Sequence, residues 1–157
     1  MNGDGGPRPA SLLEEARRVH GEAYAPYSRF RVAAALEADD GRTFTGVNVE
    51  NASSPVGSCA ERVALGTAVT AGARSFRRLA LVAPGDRPTP PCGMCRQALA
   101  EFGTDLEIWS ETRDGAVRRW TLEELLPDAF RRDDRPASDD GADRPAAGRG
   151  GPDGSEA

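Results

Sequence analysis

Residues 79–97 read LALVAPGDRPTPPCGMCRQ, a strand-like segment followed by a loop and the start of a helix. The run 79–83 is fully apolar and has the length typical of a buried central strand. The proline-rich stretch 84–91 then predicts a loop. Helical spacing after it predicts one buried face, formed by Cys92, Cys95, Ala98, Leu99 and Phe102, and an end at Gly103. Both cysteines are thereby predicted on the buried side of the helix's first turn.

The elements on either side of this unit alternate between helices and hairpins. A helix is predicted from Ser11, where Glu14 completes a capping box, to about Ala23. The other predicted elements are a hairpin of 31–37 and 43–48, a polar loop 51–58, a helix 60–71, a hairpin of 106–110 and 117–121, and a short helix from 121. This order predicts an α/β fold, a three-layer α/β/α sandwich with a mixed sheet of about five strands.

Length and composition limit the organisation and the partners. A chain of 157 residues has room for one domain, which we expect at 11–130. Residues 1–10 and 131–157 are poor in core-forming side chains, and we expect both to be disordered. The net charge of -5 disfavours a nucleic-acid partner. No apolar run approaches the ~20 residues that span a bilayer and no secretory leader is recognisable, so we expect no membrane partner and a cytoplasmic location.

All three cysteines fall where a helix is predicted to begin. Cys59 precedes one helix, and Cys92 and Cys95 lie at the start of the next. Helix N-termini favour the thiolate form that a metal requires. Three thiolates suit one tetrahedral Zn²⁺ and leave a fourth position for water, as in catalytic zinc sites. The odd number of cysteines makes a disulfide framework improbable.

Glu61 lies two residues after Cys59, where its carboxylate can carry protons between water and a substrate. A ligand-x-Glu motif followed by Pro-Cys-x-x-Cys is typical of zinc-dependent deaminases. A non-catalytic zinc or redox module is the alternative from a different class, because a lone Cys-x-x-Cys is common in both. His20, the only histidine, is more typical of a surface or half-buried residue than of a fourth ligand.

Further motifs extend this pattern over nearly all of 12–130. They are Ala25-Pro26-Tyr27-Ser28-Arg29-Phe30, Gly46-Val47-Asn48-Val49-Glu50-Asn51-Ala52, Cys59-Ala60-Glu61-Arg62, Pro91-Cys92-Gly93-Met94-Cys95-Arg96-Gln97, Glu101-Phe102 and Leu125-Leu126-Pro127. On these motifs the chain resembles the small, three-cysteine, homotetrameric cytidine deaminases. The resemblance implies hydrolytic deamination of cytidine and deoxycytidine to uridine and deoxyuridine, with release of ammonia, in pyrimidine salvage.

The resemblance also implies roles for individual residues. Cys59, Cys92 and Cys95 would bind one zinc ion, and Glu61 would protonate N3 of the pyrimidine. The implied substrate contacts are Phe30 against the base, Asn48 and Glu50 on the ribose hydroxyls, the backbone of Ala60 and Pro91 on the base, and Phe130 lent to a neighbouring subunit. The nucleoside site is thus expected to be shared between subunits of a homotetramer.

Arg62 and Arg96 adjoin the ligand cysteines, and a guanidinium that donates to a thiolate would offset the negative charge of the site. We expect Arg62 to be the closer of the two. Two positions depart from the family pattern: Ser54 stands where an aromatic residue is common, and Ala33 where glycine is common. Neither position touches the zinc chemistry. A second interpretation with the same chemistry is a deaminase of another aminated base or nucleoside analogue, although Asn48 with Glu50 favours a free ribose.

Overall fold

A five-stranded mixed sheet organises the computed structural model, which describes residues 9–132. The elements are α1 Ala10–His20, β1 Ala33–Ala38, β2 Thr43–Val47, a 3-10 turn Ser54–Val56, α2 Ala60–Thr70, β3 Phe76–Ala83, α3 Gly93–Ala100, β4 Glu107–Thr112, β5 Val117–Thr121 and α4 Leu122–Leu125. The strand order is β2-β1-β3-β4-β5. Strands β3 and β4 are parallel, and the other neighbours are antiparallel. The predicted central strand and both hairpins are confirmed.

Helices cover both faces of the sheet, which confirms the predicted three-layer α/β/α sandwich. Helix α1 packs through Leu12, Leu13 and Ala16 on the face that carries Ala33 and Val82. The other three helices contribute to a larger cluster on the opposite face, whose sheet residues include Ala34, Leu36, Leu79, Leu81 and Ile108. Strand β3 is buried over most of its length because both of its faces are covered. Ala33 is itself fully buried beneath α1.

The first helix differs from its prediction at both ends. The capping box at Ser11 was wrong: Pro9 is the N-cap, and its carbonyl accepts from the amides of Leu12 and Leu13. The helix ends at His20, and Ala23 is buried in an extended connection whose next residue, Tyr24, bridges to Val49. The helical spacing of apolar residues therefore misled the prediction, because Ala23 is buried after the turn that ends α1, with its amide bonded to the carbonyl of His20.

A capping box does occur at α4. Thr121 accepts from the Glu124 amide, and the Glu124 carboxylate accepts from the Thr121 amide. This Thr-x-x-Glu pattern is as easy to recognise in the sequence as the Ser-x-x-Glu pattern at Ser11. The difference is that the segment before α4 is a strand that leaves Thr121 extended at the N-cap, whereas proline takes that position in α1.

The predicted domain limits need one correction within the described residues. Pro9 is buried and Ala10 begins α1, so the expectation of disorder was wrong for these two residues. Of the rest of that expectation, residues 131 and 132 are exposed and belong to no helix or strand, and residues 1–8 and 133–157 lie outside the described residues. Within 9–132, none of the helices has the length and apolarity needed to cross a bilayer.

Gly46 sets how closely α2 approaches the sheet. A Cβ atom at this position would lie 2.3 Å from the amide nitrogen of Ala64 and 2.5 Å from the carbonyl oxygen of Ala60. Only hydrogen fits in such a space, and α2 therefore rests on the backbone of β2. Because Glu61 is in the first turn of α2 and Cys59 is its N-cap, this contact fixes both residues relative to the sheet.

We expect Gly46→Ala to lower the free energy of unfolding by about 1–3 kcal/mol, the usual cost of overpacking, and to lower the metal content per chain. The added methyl group meets backbone atoms, so α2 has to move. Gly66→Ala is the matched control, because Gly66 lies in α2 itself and has open space where a Cβ would stand. This variant should leave the free energy of unfolding unchanged or raise it by up to about 1 kcal/mol. Denaturant unfolding and metal analysis of both variants test this. Equal behaviour of the two would contradict it.

Candidate active site

The three cysteine sulfurs meet at the starts of two helices. Cys59 is the N-cap of α2, Cys92 is the N-cap of α3, and Cys95 is the third residue of α3. The Sγ atoms of Cys59 and Cys92 are 3.7 Å apart, and those of Cys92 and Cys95 are 3.5 Å apart. All three sulfurs lie within 4.8 Å of one another. The structure therefore brings together the trio predicted from the sequence.

These distances fit a tetrahedral zinc site. A Zn–S bond of about 2.3 Å in tetrahedral geometry separates two sulfurs by about 3.8 Å. All three cysteines are free rather than paired in a disulfide. Within residues 9–132 no other Cys, His, Asp or Glu joins the cluster. The Nε2 atom of His20 instead lies 2.9 Å from the carbonyl oxygen of Arg31.

Burial of the cysteines differs from the prediction. Cys95 is fully buried, whereas Cys92 is exposed. The reason is that Cys92 is the N-cap, with extended backbone angles, and is not part of the helical face. Its sulfur nevertheless reaches the cluster. The prediction was therefore wrong about the burial of Cys92 and right about its place in the cluster.

The electrostatics of the thiols favour a cation among them. Burial, with the Glu61 charge as the next cause, raises the pKa of both Cys59 and Cys95. Burial also opposes ionisation of Cys92, but the hydrogen bond from the Cys95 amide and the side-chain hydrogen bonds with Cys95 and Cys59 outweigh it and lower its pKa. Two of the three thiols therefore do not ionise readily by themselves. A divalent cation held between the sulfurs offsets this, since metal binding and thiol deprotonation are coupled.

Glu61 is a buried acid next to the sulfur cluster. It is the second residue of α2 and only 6% exposed. Burial raises the pKa of its carboxyl group, against the opposing hydrogen bonds of its own amide and the Cys95 thiol. A carboxyl group whose pKa lies above its usual range holds a proton more readily than an exposed glutamate does, which suits a group that carries protons.

The two predicted arginine helpers have different partners. Arg62 donates from Nη2 to the carbonyl of Gly57, and its buried Nε has no partner within residues 9–132. Burial lowers the pKa of Arg62, and the neighbouring Cys59 and Cys95 side chains raise it by more. This orphan donor fits a site in which the sulfurs are thiolates, because thiolates accept hydrogen bonds.

Arg96 does not donate to a cysteine, which corrects its predicted contact. Its Nε donates to the Pro91 carbonyl at 2.8 Å, and its Nη1 donates to the Leu125 carbonyl at 3.0 Å. Arg96 thus ties the loop before Cys92 to the end of α4. Sequence adjacency to Cys95 could not reveal this, because both carbonyls are brought near by the tertiary fold.

A cavity of about 360 Å³ opens beside the sulfurs and Glu61. Among the residues that line it are Phe30, Asn48, Glu50, Cys59, Ala60 and Glu61. Four predicted substrate contacts therefore share one cavity with the predicted chemistry. Pro91, a fifth predicted contact, is buried and does not line this cavity, and its carbonyl accepts from Arg96.

Asn48 and Glu50 both bind the segment 27–32, which carries Phe30. The Asn48 side chain accepts from the Val32 amide at 2.8 Å and donates to the Phe30 carbonyl at 2.8 Å. Glu50 accepts from the Tyr27 and Ser28 amides at 2.9 and 3.2 Å and from the Ser28 hydroxyl. Ser28 lines the cavity and was missed from the sequence, although it lies inside the motif at 25–30.

Phe130 does not line the cavity of its own chain. The residue is 76% exposed, and its backbone is held by the Gln97 side chain, which accepts from the Phe130 amide at 3.1 Å and donates to its carbonyl at 2.9 Å. Other exposed apolar side chains are Tyr27, Val56 and Met94. Ser54 lines a second cavity of about 600 Å³ that also borders Cys59 and Met94.

Comparison with known proteins points to one group of enzymes. Residues 8–110 match the family described as the cytidine and deoxycytidylate deaminase zinc-binding region. The crystal structure of a cytidine deaminase from Burkholderia pseudomallei is 45% identical, with a TM-score of 0.75 over 79% of this chain and all of that chain. Cytidine deaminases of Sporosarcina psychrophila and Mycobacterium tuberculosis are 42% and 45% identical over 124 and 126 residues. These alignments cover 78% and 80% of this chain and 91% of each relative.

Proposed function

Because the chain belongs to the zinc-binding cytidine and deoxycytidylate deaminase family, we propose that it hydrolyses cytidine and deoxycytidine to uridine and deoxyuridine and releases ammonia. The observation that carries this proposal is the buried Glu61 beside three sulfurs within 4.8 Å of one another, in the cavity that also holds Asn48 and Glu50. A proton carrier, a metal site and a polar pocket for a sugar are thus adjacent.

Cys59, Cys92 and Cys95 are the residues that would hold the zinc ion. The ion supplies the Lewis acidity that makes water nucleophilic at neutral pH. Arg62, with its buried and unpartnered Nε, balances the negative charge of three thiolates. The amides in the first turn of α2 contribute positive potential from the same side.

Glu61 moves the protons of the reaction. Its carboxylate takes a proton from the attacking water and delivers it to N3 of the pyrimidine as oxygen bonds to C4. It then carries the second water proton to the amino group, so that the C4–N4 bond breaks and ammonia leaves. Atoms balance as cytidine plus water giving uridine plus ammonia, and Glu61 returns to its starting state.

The remaining cavity residues bind the nucleoside. Asn48 and Glu50 hold the sugar hydroxyls, and Phe30 lies against the base. The Ala60 amide, at the first position of α2, has no partner from the preceding turn of its own helix and can donate to the base. The carbonyl of Pro91 already accepts from Arg96 and keeps a second lone pair for the substrate amino group.

An absorbance assay against a substrate panel tests the proposed function. The panel contains cytosine, cytidine, deoxycytidine, their monophosphates, adenosine and guanine, with ammonia measured in parallel. We expect turnover of cytidine and deoxycytidine, and little of the free base or the monophosphates. Turnover confined to another aminated compound would favour the second interpretation, and no turnover of any by zinc-loaded protein would refute the proposal.

A homotetramer with shared sites accounts for the exposed apolar residues. Phe130, Met94 and Tyr27 expose hydrophobic side chains, and the last two line a cavity next to the sulfurs. Exposed apolar side chains that share one cavity wall, as Tyr27 and Met94 do, are typical of a protein interface. We therefore place Phe130 in the active site of a neighbouring subunit, where its ring would close the nucleoside pocket.

Phe130→Ala should raise KM for cytidine by about tenfold, equivalent to about 1.4 kcal/mol of lost contact, without changing zinc content. Glu22→Ala, at an exposed polar position in the turn after α1, is the control. Mixing Phe130→Ala subunits with inactive Glu61→Gln subunits gives a sharper measurement. Hybrids should regain low-KM activity, because the Glu61→Gln subunit still lends its Phe130. Failure to complement after subunit exchange would contradict sharing.

We place this reaction in pyrimidine salvage in the cytoplasm. Three free cysteines suit a reducing compartment, where thiols remain available for zinc. A free nucleoside substrate, as opposed to a polynucleotide, agrees with the chain's net charge of -5.

A further inference from the structure

We propose that Ser28 is a positioning residue that fixes Glu50 as a hydrogen-bond acceptor and so makes the site require a free hydroxyl on the sugar. This inference rests on the proposed function, in which Glu50 binds the sugar. Ser28 lines the cavity beside Asn48 and Glu50. It belongs to neither the metal site nor the proton path.

The hydrogen bonds of Ser28 fix the direction of its hydroxyl. The Phe30 amide lies 3.0 Å from Ser28 Oγ, and an amide N–H can only donate. Oγ therefore accepts from Phe30, and the single hydroxyl hydrogen is directed to Glu50 Oε1. Arg29, between these residues, has φ of 58°, in the left-handed region that returns the Phe30 amide toward Ser28.

The two oxygens of Glu50 are held by different groups. Oε2 accepts from the amides of Tyr27 and Ser28. Oε1 accepts only from the Ser28 hydroxyl among the contacts within residues 9–132. The backbone thus anchors one oxygen, while the serine side chain alone orients the other. Loss of the hydroxyl would leave Oε1 free to rotate or to take up a proton.

All three groups on Glu50 are donors, so they stabilise its ionised form. The Ser28 hydroxyl is the largest cause of the lowered pKa of Glu50. An ionised carboxylate has lone pairs and no hydrogen to offer. A ligand group placed against Oε1 must therefore donate: a sugar hydroxyl can, an ether oxygen cannot, and a phosphate is repelled by the negative charge.

Asn48 does not impose the same demand. Its Oδ1 and Nδ2 each make one hydrogen bond to the segment 27–32. One lone pair and one N–H remain, so Asn48 can either accept or donate. The preference for a hydroxyl donor therefore depends on Glu50, and Ser28 controls that preference by orienting the Glu50 carboxylate. Glu50 also disfavours a phosphodiester at this sugar position.

Ser28→Ala tests the proposal, with Ser28→Thr as the conservative variant and Ser11→Ala, at an exposed position in α1, as the control. The substrates are cytidine, 2′-deoxycytidine and 3′-deoxycytidine. Removing the sugar hydroxyl that faces Glu50 should lower kcat/KM of the wild type by at least about tenfold. The same removal should lower kcat/KM of Ser28→Ala by less than about threefold. For each substrate, kcat/KM of Ser28→Thr should stay within about threefold of the wild-type value.

The pH profile of kcat/KM gives a second readout. Glu61, whose pKa is raised, sets the first fall of activity on the acid side, and Glu50, whose pKa is lowered, adds a second fall at lower pH because it must be ionised to accept. Removing the donor that lowers the pKa of Glu50 should move this second fall of Ser28→Ala to higher pH, while Ser28→Thr and Ser11→Ala keep the wild-type acidic limb. The titratable side chains that line the same cavities as Glu50 are Tyr27, Cys59, Glu61, Arg62 and Cys92. Within residues 9–132, the hydrogen bonds to the Glu50 carboxylate come from the Tyr27 and Ser28 amides and the Ser28 hydroxyl.

The outcomes separate this inference from the proposed function. A wild type that turns over no cytosine nucleoside refutes the proposed function. An active wild type with Ser28→Ala equally sensitive to the missing hydroxyl refutes only the role of Ser28, as does a uniform loss on all three substrates with an unchanged acidic limb. Should Ser28→Ala fail to fold, Ser28→Cys, a weaker donor, must show the same reduced discrimination or the inference is overturned.

Discussion

Glu61→Gln is expected to lower kcat for cytidine by about 10²–10⁴-fold, the range typical of general acid–base catalysis, while the protein keeps about one zinc per chain. Glutamine has nearly the same shape, so the buried position in the first turn of α2 is preserved. Its amide cannot take up and release the proton that must pass from water to N3. The loss should therefore appear in kcat rather than in zinc binding.

This variant also separates the enzyme from a non-catalytic zinc or redox module. A structural site has no need for a proton carrier and would keep its properties in Glu61→Gln. Glu123→Gln, an exposed acid in the first turn of α4, is the control for removing one negative charge at a helix start. Kinetics and zinc analysis of the wild type, Glu61→Gln and Glu123→Gln distinguish the enzyme from the non-catalytic module. Glu61→Gln with wild-type turnover would refute the proposed mechanism.

The central elements and the metal cluster could be predicted from local sequence patterns. Apolar residues 79–83, two turn motifs and the positions of three cysteines relative to helix starts were sufficient, because each depends on backbone preferences within a few residues. The same reasoning was wrong at Ser11, where Pro9 takes the N-cap, and at Cys92, which is exposed. In both cases the error was a shift of one or two residues at a helix end.

The hydrogen bonds that shape the cavity could not be predicted in this way. Ser28 and Glu50 are 22 residues apart, and Phe30 and Asn48 are 18 apart. These pairs meet only once the connection after α1 lies beside the end of β2. Arg96 shows the same limit, since its partner Leu125 is 29 residues away. Sequence motifs mark such residues without saying what they bind.

Gly46 combines a local sequence motif with a contact that only the tertiary structure shows. It belongs to a motif seen in the sequence, yet the motif does not say why glycine is needed. The structure gives the reason as backbone contact with α2 at 2.3 and 2.5 Å. A conformational need for glycine is absent here, since no left-handed angle is recorded at this residue. The placement of Cys59 and Glu61 thus depends on a missing side chain in a neighbouring strand.

Cys95→Ala is expected to lose zinc almost completely, from about one ion per chain to near zero, and with it all measurable deamination. Two sulfurs remain in that variant, too few to hold the ion against a chelator. Cys95 is also fully buried, so alanine leaves a small cavity and lowers stability in addition. Zinc analysis after dialysis against a chelator, together with the ammonia assay, measures both losses.

Replacements at Cys59 distinguish loss of a ligand from damage to the fold. Cys59→Ala should resemble Cys95→Ala in zinc content, whereas Cys59→His should retain more zinc, because histidine serves as the first ligand in other zinc deaminases. Cys59 caps α2 through its backbone and makes no side-chain capping bond, so neither variant removes a helix cap. If Cys95→Ala or Cys59→Ala kept stoichiometric zinc, the ion would have to be bound elsewhere, and the assignment of Glu61 as its neighbouring proton carrier would fail with it.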